Sequence, residues 1–507
     1  MKDLIRIALL GSDRTEIPAD LQQQIKELGV NEKDTARMLL IAATKWRMKQ
    51  KAGFIPHAHE GQLPLGPDDS NERFCSPKAT RYLQQIIEGP YERILPEFFQ
   101  IAKKENRTLP PEQLPTFLEQ ASEGPKQAAL LKSLMGNHAR WLAEQHPVWA
   151  SLFAEPDLDN WDSGSFQNQL QNFRNFREID KAKSLELLNG IWPELDHRQK
   201  KSFLRTLKHT VDLGDEDFLE MVLEDRRKEV RKEAAILLQS VAGSKLLERT
   251  WSHLENLISI KKNKKGEEEP AIELPDEITP EMLRDGIDPR QQWMRGGLRA
   301  SRLGQMVAII PPARWEKHFD KNPETLIEVF AKSDYAIILL QALAYAAALH
   351  KDDNWAVAIL EFWLYHHHID RWSDFEPKQL CENLSAQAFN RIAIPALDYC
   401  DQLPTEEDPI TFLIKKNEHA WNKNLTTSFI IKCKEWIAEY SSSYWTAFQL
   451  KSMIQNASYY IDPALADSLT KSWPTSSPAW GSWESEIEAF FKVLRFRKGM
   501  QEALVEN

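Results

Sequence analysis

Apolar residues recur through most of this 507-residue chain at intervals of three and four, the period of a helix with one buried side. No run alternates β-branched and polar residues between turn signals, so the pattern predicts an all-α fold. Residues 34–51 read as a helix with Leu39, Leu40, Ala43 and Trp46 on one side, closed by Gly53 and Pro56. Gly61, Pro64, Gly66 and Pro67 follow, so an irregular loop is expected over 53–76. Helices resume at Pro77 and run to Trp149, broken at Gly89-Pro90, Pro110-Pro111 and Gly124-Pro125. Acidic turn formers over 156–164 then mark a boundary.

Paired helices are expected over residues 165–258. Asp180 starts one bearing Leu185, Leu188 and Trp192, which Pro193 stops, and Asp196 with Gln199 suits a capping box for one bearing Phe203, Leu204 and Leu207. Past Gly214, Asp217 and Glu220 are suited to cap a short helix with Leu219 and Leu223. A turn at Asp225 leads into a longer helix whose apolar stripe is Val230, Ala234, Leu237, Leu238 and Val241, ended by Gly243. An acid five positions before Val230-Arg231, followed by Ala234-Ala235 and Leu237-Leu238, resembles the second helix of a HEAT repeat. In that motif small residues let neighbouring helices approach, the acid caps the amino end, and Arg231 would bond the turn of an adjacent repeat. The plainer alternative is one ordinary amphipathic helix. The expected architecture is a HEAT-like α-solenoid, a stack of helical hairpins with irregular helical regions at both ends.

Periodicity fails over 259–292, where Lys261-Lys262-Asn263-Lys264-Lys265 is followed by Glu267-Glu268-Glu269 and four prolines. That composition predicts a linker or exposed excursion. Four parts result: an N-terminal helical region over 1–155, hairpins over 165–258, the charged excursion over 259–292, and a C-terminal helical region over 293–507.

Composition narrows the function. A net charge of −11 repels a phosphate backbone, so general nucleic-acid binding is disfavoured. Cys75, Cys381, Cys400 and Cys433 are far apart and form no CxxC pair, which fits a reducing, cytoplasmic setting. The apolar start of the chain is too brief for a secretory signal, and export is not expected. The most apolar segment, Tyr335 to Leu349, is shorter than the ~20 residues a bilayer requires and reads as a buried helix, so no membrane association is expected.

Several stretches together are similar to an uncharacterised bacterial family of HEAT-like proteins known only as a domain of unknown function. They are Ala8 to Arg14, Cys75 with Ala79, Gly136 with Trp141-Leu142-Ala143, Phe218 through Ser244, and Arg302-Leu303 with Ile310-Pro311-Pro312 and Trp315. The chain departs from the family pattern at Ser12, where threonine is common, and at Gly136-Asn137-His138, where a tighter Gly-Arg-Gly turn is usual. Such proteins tend to be encoded beside a MoxR-type AAA+ ATPase, a von Willebrand factor A protein and a SWIM zinc-finger protein. The resemblance thus implies a protein-binding adaptor with the ATPase or the von Willebrand factor A protein as partner.

Candidate chemistry is sparse, for no phosphate loop, GxSxG elbow or HExxH helix occurs. The best metal candidates are His57, His59 and Cys75, with Glu60, Asp68 and Asp69 between them, because imidazole, thiolate and carboxylate bind zinc when they converge. Their spacing is looser than that of structural zinc sites. His366-His367-His368 cannot all bind one ion on a helix, where successive residues point about 100° apart. The leading reading is a non-enzymatic scaffold without cofactor; a metal-dependent hydrolase using the 57–75 loop and a HEAT-like nucleic-acid binder using Arg226-Arg227-Lys228 are the alternatives.

Overall fold

A computed structural model describes residues 7, 17–27, 29–30, 32, 34–51, 65–68, 72–123, 125–146, 148–153, 165–290, 297–372, 374–439 and 444–506. The chain forms two units, residues 1–66 and 67–507. In the first, α1 (Ala19–Glu27) and α2 (Thr35–Lys51) share a small core of Leu21, Ile25, Val30, Leu39 and Ala42. Asp34 starts α2, its carboxylate accepting from the Arg37 N–H at 2.8 Å. The apolar stripe differs from the expected one, because Leu40 lies 69% exposed while Leu39 and Ala42 are buried. Consecutive residues diverge by about 100°, so a narrow core cannot hold both leucines.

The second unit begins with α3 (Pro77–Glu88), α4 (Leu95–Lys104), α5 (Leu114–Glu123), α6 (Pro125–Leu134), α7 (Asn137–Glu144) and α8 (Ala150–Phe153). Next come α9 (Phe166–Ile179), α10 (Lys181–Ile191), α11 (His197–Leu207), α12 (Glu216–Val222), α13 (Lys228–Gln239) and α14 (Lys245–Leu254). Strands β1 (Ile258–Lys262) and β2 (Glu268–Ile272) precede α15 (Pro280–Arg284), α16 (Gly297–Val307), α17 (Ala313–Phe319) and α18 (Pro323–Phe330). The remainder is α19 (Ala336–His350), α20 (Asp353–His366), α21 (Ala386–Tyr399), α22 (Pro409–Lys416), α23 (Lys423–Glu439), α24 (Tyr444–Ala457), α25 (Ala466–Leu469) and α26 (Glu484–Val505). Helix starts follow side-chain chemistry. Ser76, Ser165, Asp180, Asp196, Ser244, Thr279, Asn322, Asp352 and Ser385 each accept a first-turn N–H, and Asp196 with Gln199 completes a capping box.

These helices are too short and too one-sided to bury their apolar stripes alone. Most pack on helices one to three places away along the chain, and one core cluster draws residues from Leu170 through Leu494. The fold is therefore an all-α helical stack. The segment read as a linker or excursion opens with an antiparallel hairpin, in which Ile258 faces Ile272, Lys261 faces Glu269 and Lys262 faces Glu268. The opposite charge blocks of the sequence thus oppose each other across the ladder. At its turn the Asn263 side chain accepts from the Lys265 and Glu267 N–H groups at 2.9 and 3.0 Å, and Gly266 takes φ +78°. Ile258, Ile260 and Ile272 are the large apolar residues among the charges, too few to register as an alternating strand pattern. The hairpin packs on α18, where Lys321 pairs with Glu268 at 2.9 Å and the Lys332 ammonium donates to the Glu268 carbonyl at 3.1 Å. After it, Asp285 at the end of α15 receives both forks of Arg249 from α14 at 2.9 Å, while Arg249 also reaches Glu220 of α12 at 3.0 Å.

The circuit of packed helices closes on itself within this unit. Helix α26, 22 residues long and thus about 33 Å, packs on α24 and also on α3 and α4. Its Ile487, Phe490, Phe491 and Leu494 belong to the large core. Its Met500, Ala503 and Leu504 belong to a second core made by residues 75–152. At the crossing, Phe496 stacks on Tyr91 with ring centroids 4.1 Å apart, and Gly499 leaves room for the Tyr82 phenol, which a Cβ would overlap. Arg497 grips Glu97 of α4 by two bonds of 2.6 and 2.9 Å and donates to the Ser458 and Ile461 carbonyls at 2.7 Å. The last carbonyls of α26 are also satisfied from the opening segment: Ser76 donates to Ala503 at 3.0 Å, and Arg107 to Leu504 and Glu506 at 3.2 and 2.7 Å.

Removing one partner from a buried charge pair leaves the other desolvated, at a cost of about 3–5 kcal/mol. Arg497→Ala is therefore expected to lower stability by that order in denaturant unfolding. Glu506→Ala, which opens the solvent-exposed Lys78–Glu506 pair, is expected to cost about 0–1 kcal/mol.

Candidate protein-binding surface

The stretch that resembles a HEAT helix is α13, and its start is built differently from the motif. The N-cap, Arg227, offers no side-chain acceptor. Asp225 instead receives the Arg227 N–H at 2.9 Å with one oxygen and the Lys200 ammonium of α11 at 2.8 Å with the other. Arg231 does not reach a neighbouring turn; it donates to the Asp225 carbonyl at 2.7 Å, bracing its own. The tie to the preceding helix pair is thus Lys200–Asp225, with side chains only 16% and 10% exposed. Nothing local marks Lys200, which reads as one more surface lysine 25 residues upstream. Burial pushes the Asp225 carboxyl up, but the Lys200 ammonium and the Arg227 amide outweigh this and hold it below the usual carboxylate range.

Val230, Ala234, Leu237 and Leu238 are all buried, and Ala235 with them. The charges of α13 pair between elements rather than along the helix: Glu233 with Arg205 of α11 at 2.8 Å, and Lys228 with Asp288 at 3.5 Å. Of the run Arg226-Arg227-Lys228, the Asp288 carboxylate takes up Lys228, which weakens it as a phosphate-binding feature.

A groove of about 280 Å³ opens beside the same helix, lined by Lys232, Ile236 and Gln239 of α13, by Gln305, Ala308 and Ile309 at and just past the end of α16, and by Tyr345 and Leu349 of α19. Its floor is pinned by Gln305, which accepts from the Asp288 N–H at 2.8 Å and donates to the Asp288 carbonyl at 3.1 Å. Gly286, at φ +99°, lets the backbone lie against α13, where a Cβ would stand 3.1 Å from that of Ala235. Ile236 and Tyr345 expose 41% and 44% of their surface at the groove. A wider cleft of about 690 Å³ lies at the hairpin ends between Trp192, His197, Lys200, Asp225 and Arg226, with charges of both signs.

Of the metal candidates, His57 and His59 lie outside the described residues. Cys75 is buried, its N–H donating to the Thr108 carbonyl at 2.9 Å, and burial pushes its thiol up to about 11 against the pull of Arg107. Burial likewise raises Cys381 and Cys400 to about 12 and Cys433 well above its ordinary value. All four carry their proton at neutral pH and are poor nucleophiles. Among the described residues no group of three or more His, Cys, Asp or Glu is placed to hold a metal ion.

Of the three consecutive histidines, His366 ends α20, His367 is its C-cap and His368 follows in the turn. His366 and His367 donate from Nδ1 to the Phe362 and Leu364 carbonyls at 2.7 and 2.9 Å, and His368 meets the Tyr399 hydroxyl at 3.2 Å. The Trp473, Trp480 and Trp483 cluster is likewise packing: Trp483 is buried, and the Trp473 indole donates to the Leu469 carbonyl at 2.9 Å. No helix among the described residues is long and apolar enough to cross a membrane, and α19 lies buried among its neighbours.

A carboxylate held below its ordinary range contributes stability above its unfolded pKa of about 4, lost as pH falls through the folded value. Asp225→Asn is accordingly expected to destabilise the protein at pH 7 and to flatten the acid limb of its stability curve below about pH 4. Denaturant unfolding measured across pH 2–7 checks both effects.

No curated protein and no solved structure matches the chain. Over residues 3–504 it matches the model of a family of unknown function, DUF5691, and with nearly its whole length covered the chain belongs to that family.

Proposed function

We propose that this protein is a non-enzymatic scaffold of HEAT-like hairpins, acting in the cytoplasm, that binds a protein partner along the groove between α13, α16 and α19. The observation that carries this reading is the pair of exposed apolar side chains, Ile236 and Tyr345, over a floor held rigid by Gln305 and Gly286. Large apolar anchors seated in preformed depressions supply most of the binding energy at protein interfaces. A catalytic role has less support, since the cysteines are protonated and the capping carboxylates are occupied by structural partners. The resemblance to proteins encoded beside MoxR-type ATPases and von Willebrand factor A proteins supports one of these as the partner, with this chain as adaptor.

Affinity capture from the native lysate tests the reading, with the wild-type chain and an Ile236→Glu/Tyr345→Glu variant as baits. The wild type is expected to recover the ATPase or the von Willebrand factor A protein. The variant, whose changes sit on exposed side chains and leave the melting profile intact, is expected to lose it by about tenfold or more. Equal recovery by both baits, or recovery of neither protein by the wild type, defeats the reading.

A further inference from the structure

A second groove, sharing no residue with the first, runs between α18 and α20 and encloses about 470 Å³. Its floor is apolar, made by Ile327, Ala331, Ala358, Phe362 and Trp372. Its rim is acidic. Glu324 and Glu328 stand one turn apart on α18, both exposed, and Glu361 faces the groove from α20. Neither Glu324 nor Glu328 has an ion-pair partner among the described residues. Glu324 sits in the first turn of α18, where the helix dipole favours an acid, but Glu328 lies beyond that turn and repels Glu324, so the helix alone gives no reason for the second carboxylate. Lys332, also among the lining residues, donates to the Glu268 carbonyl at 3.1 Å and keeps its charge, so three carboxylates face one ammonium and the rim is acidic on balance.

We infer that this groove receives a lysine- or arginine-bearing segment of a partner protein. The match lies in the shape of those side chains. Each has an apolar stem that suits the Ile327, Ala331 and Ala358 floor and a cationic head that would emerge among the three carboxylates at the rim. Tyr365, half exposed at the edge, adds an aromatic face for the cation, while the Trp372 ring already carries Arg371 at 5.3 Å. Burial, with a further push from Glu324, raises the Glu361 carboxyl despite the nearby Arg391, and a bound cation would relieve that cost. A phosphate-bearing or acidic ligand meets repulsion from three carboxylates.

The test is fluorescence anisotropy with the full chain and two labelled helical peptides of about 14 residues, sharing one leucine stripe and carrying either Lys and Arg or Glu at the flanking positions. The basic peptide is expected to bind at least tenfold more tightly than the acidic one and to weaken steeply as salt rises. Glu324→Lys/Glu328→Lys is expected to weaken it at least tenfold. Glu435→Lys/Glu439→Lys, an exposed pair of the same spacing on α23, makes the same change in net charge and is expected to leave binding unaltered. Failure of the basic peptide to bind, or equal loss in both double variants, overturns the proposal. So does a wild-type chain that sediments as a dimer and becomes a monomer only in Glu324→Lys/Glu328→Lys, because a second copy then occupies the groove.

Discussion

A short amphipathic helix in water has one flank it cannot cover, and in a linear stack the terminal helices keep an uncovered flank however many members are added. In the 67–507 unit α26 meets this constraint by straddling two cores, with Phe490 and Leu494 in one and Met500 and Leu504 in the other. The ends of the array therefore cover each other. The closure depends on Arg497, whose guanidinium satisfies Glu97 and two carbonyls at once, and on Arg107 and Ser76, which take up the carbonyls at the end of α26.

Between the ends, charged pairs set how each helix pair sits on the next. Arg177 and Asp215 are almost wholly buried at 2.5 Å, Lys200 reaches Asp225, Arg249 holds Glu220 and Asp285, and Arg314 grips Glu248 with two bonds while covering the Trp251 ring. Desolvation offsets much of the attraction in such pairs, so their main effect is on register: a neighbour shifted by one turn would leave a charge unpaired in a dry environment. Rigid register is also what a binding surface assembled from several helices requires, since Ile236 and Tyr345 are themselves more than a hundred residues apart in sequence.

Several helix starts are legible from the chain, because a cap is a local event, whereas Asp217 and Glu220 do not cap α12: they lie inside it, and its N-cap Asp215 instead closes a box with Asp212 one turn earlier. Asp180, Asp196 and Gln199 lie within one turn of the groups they satisfy, and the stripe of Val230, Ala234, Leu237 and Leu238 is buried as its period requires. The β1–β2 hairpin was not legible, since three isoleucines among lysines and glutamates resemble a solvated linker until the ladder sets Lys261 against Glu269 and Lys262 against Glu268. The role of Arg231 was misplaced for a related reason. A motif states which residue types are present, while the partner of a long flexible cation depends on the carbonyl nearest to it in space.

The sequence by itself determined what acts within a turn or two of the chain: the all-α class, the caps, the breaks at proline and glycine, and the lack of familiar catalytic motifs. Tertiary structure alone decided that α26 returns to α3 and α4, that Lys200 is the partner of Asp225, and that grooves open beside Ile236 and beside Glu361. Local patterns encode which flank a helix must hide. They do not encode which distant flank will hide it, because that choice depends on loop-closure entropy and on the fit of side chains hundreds of residues apart.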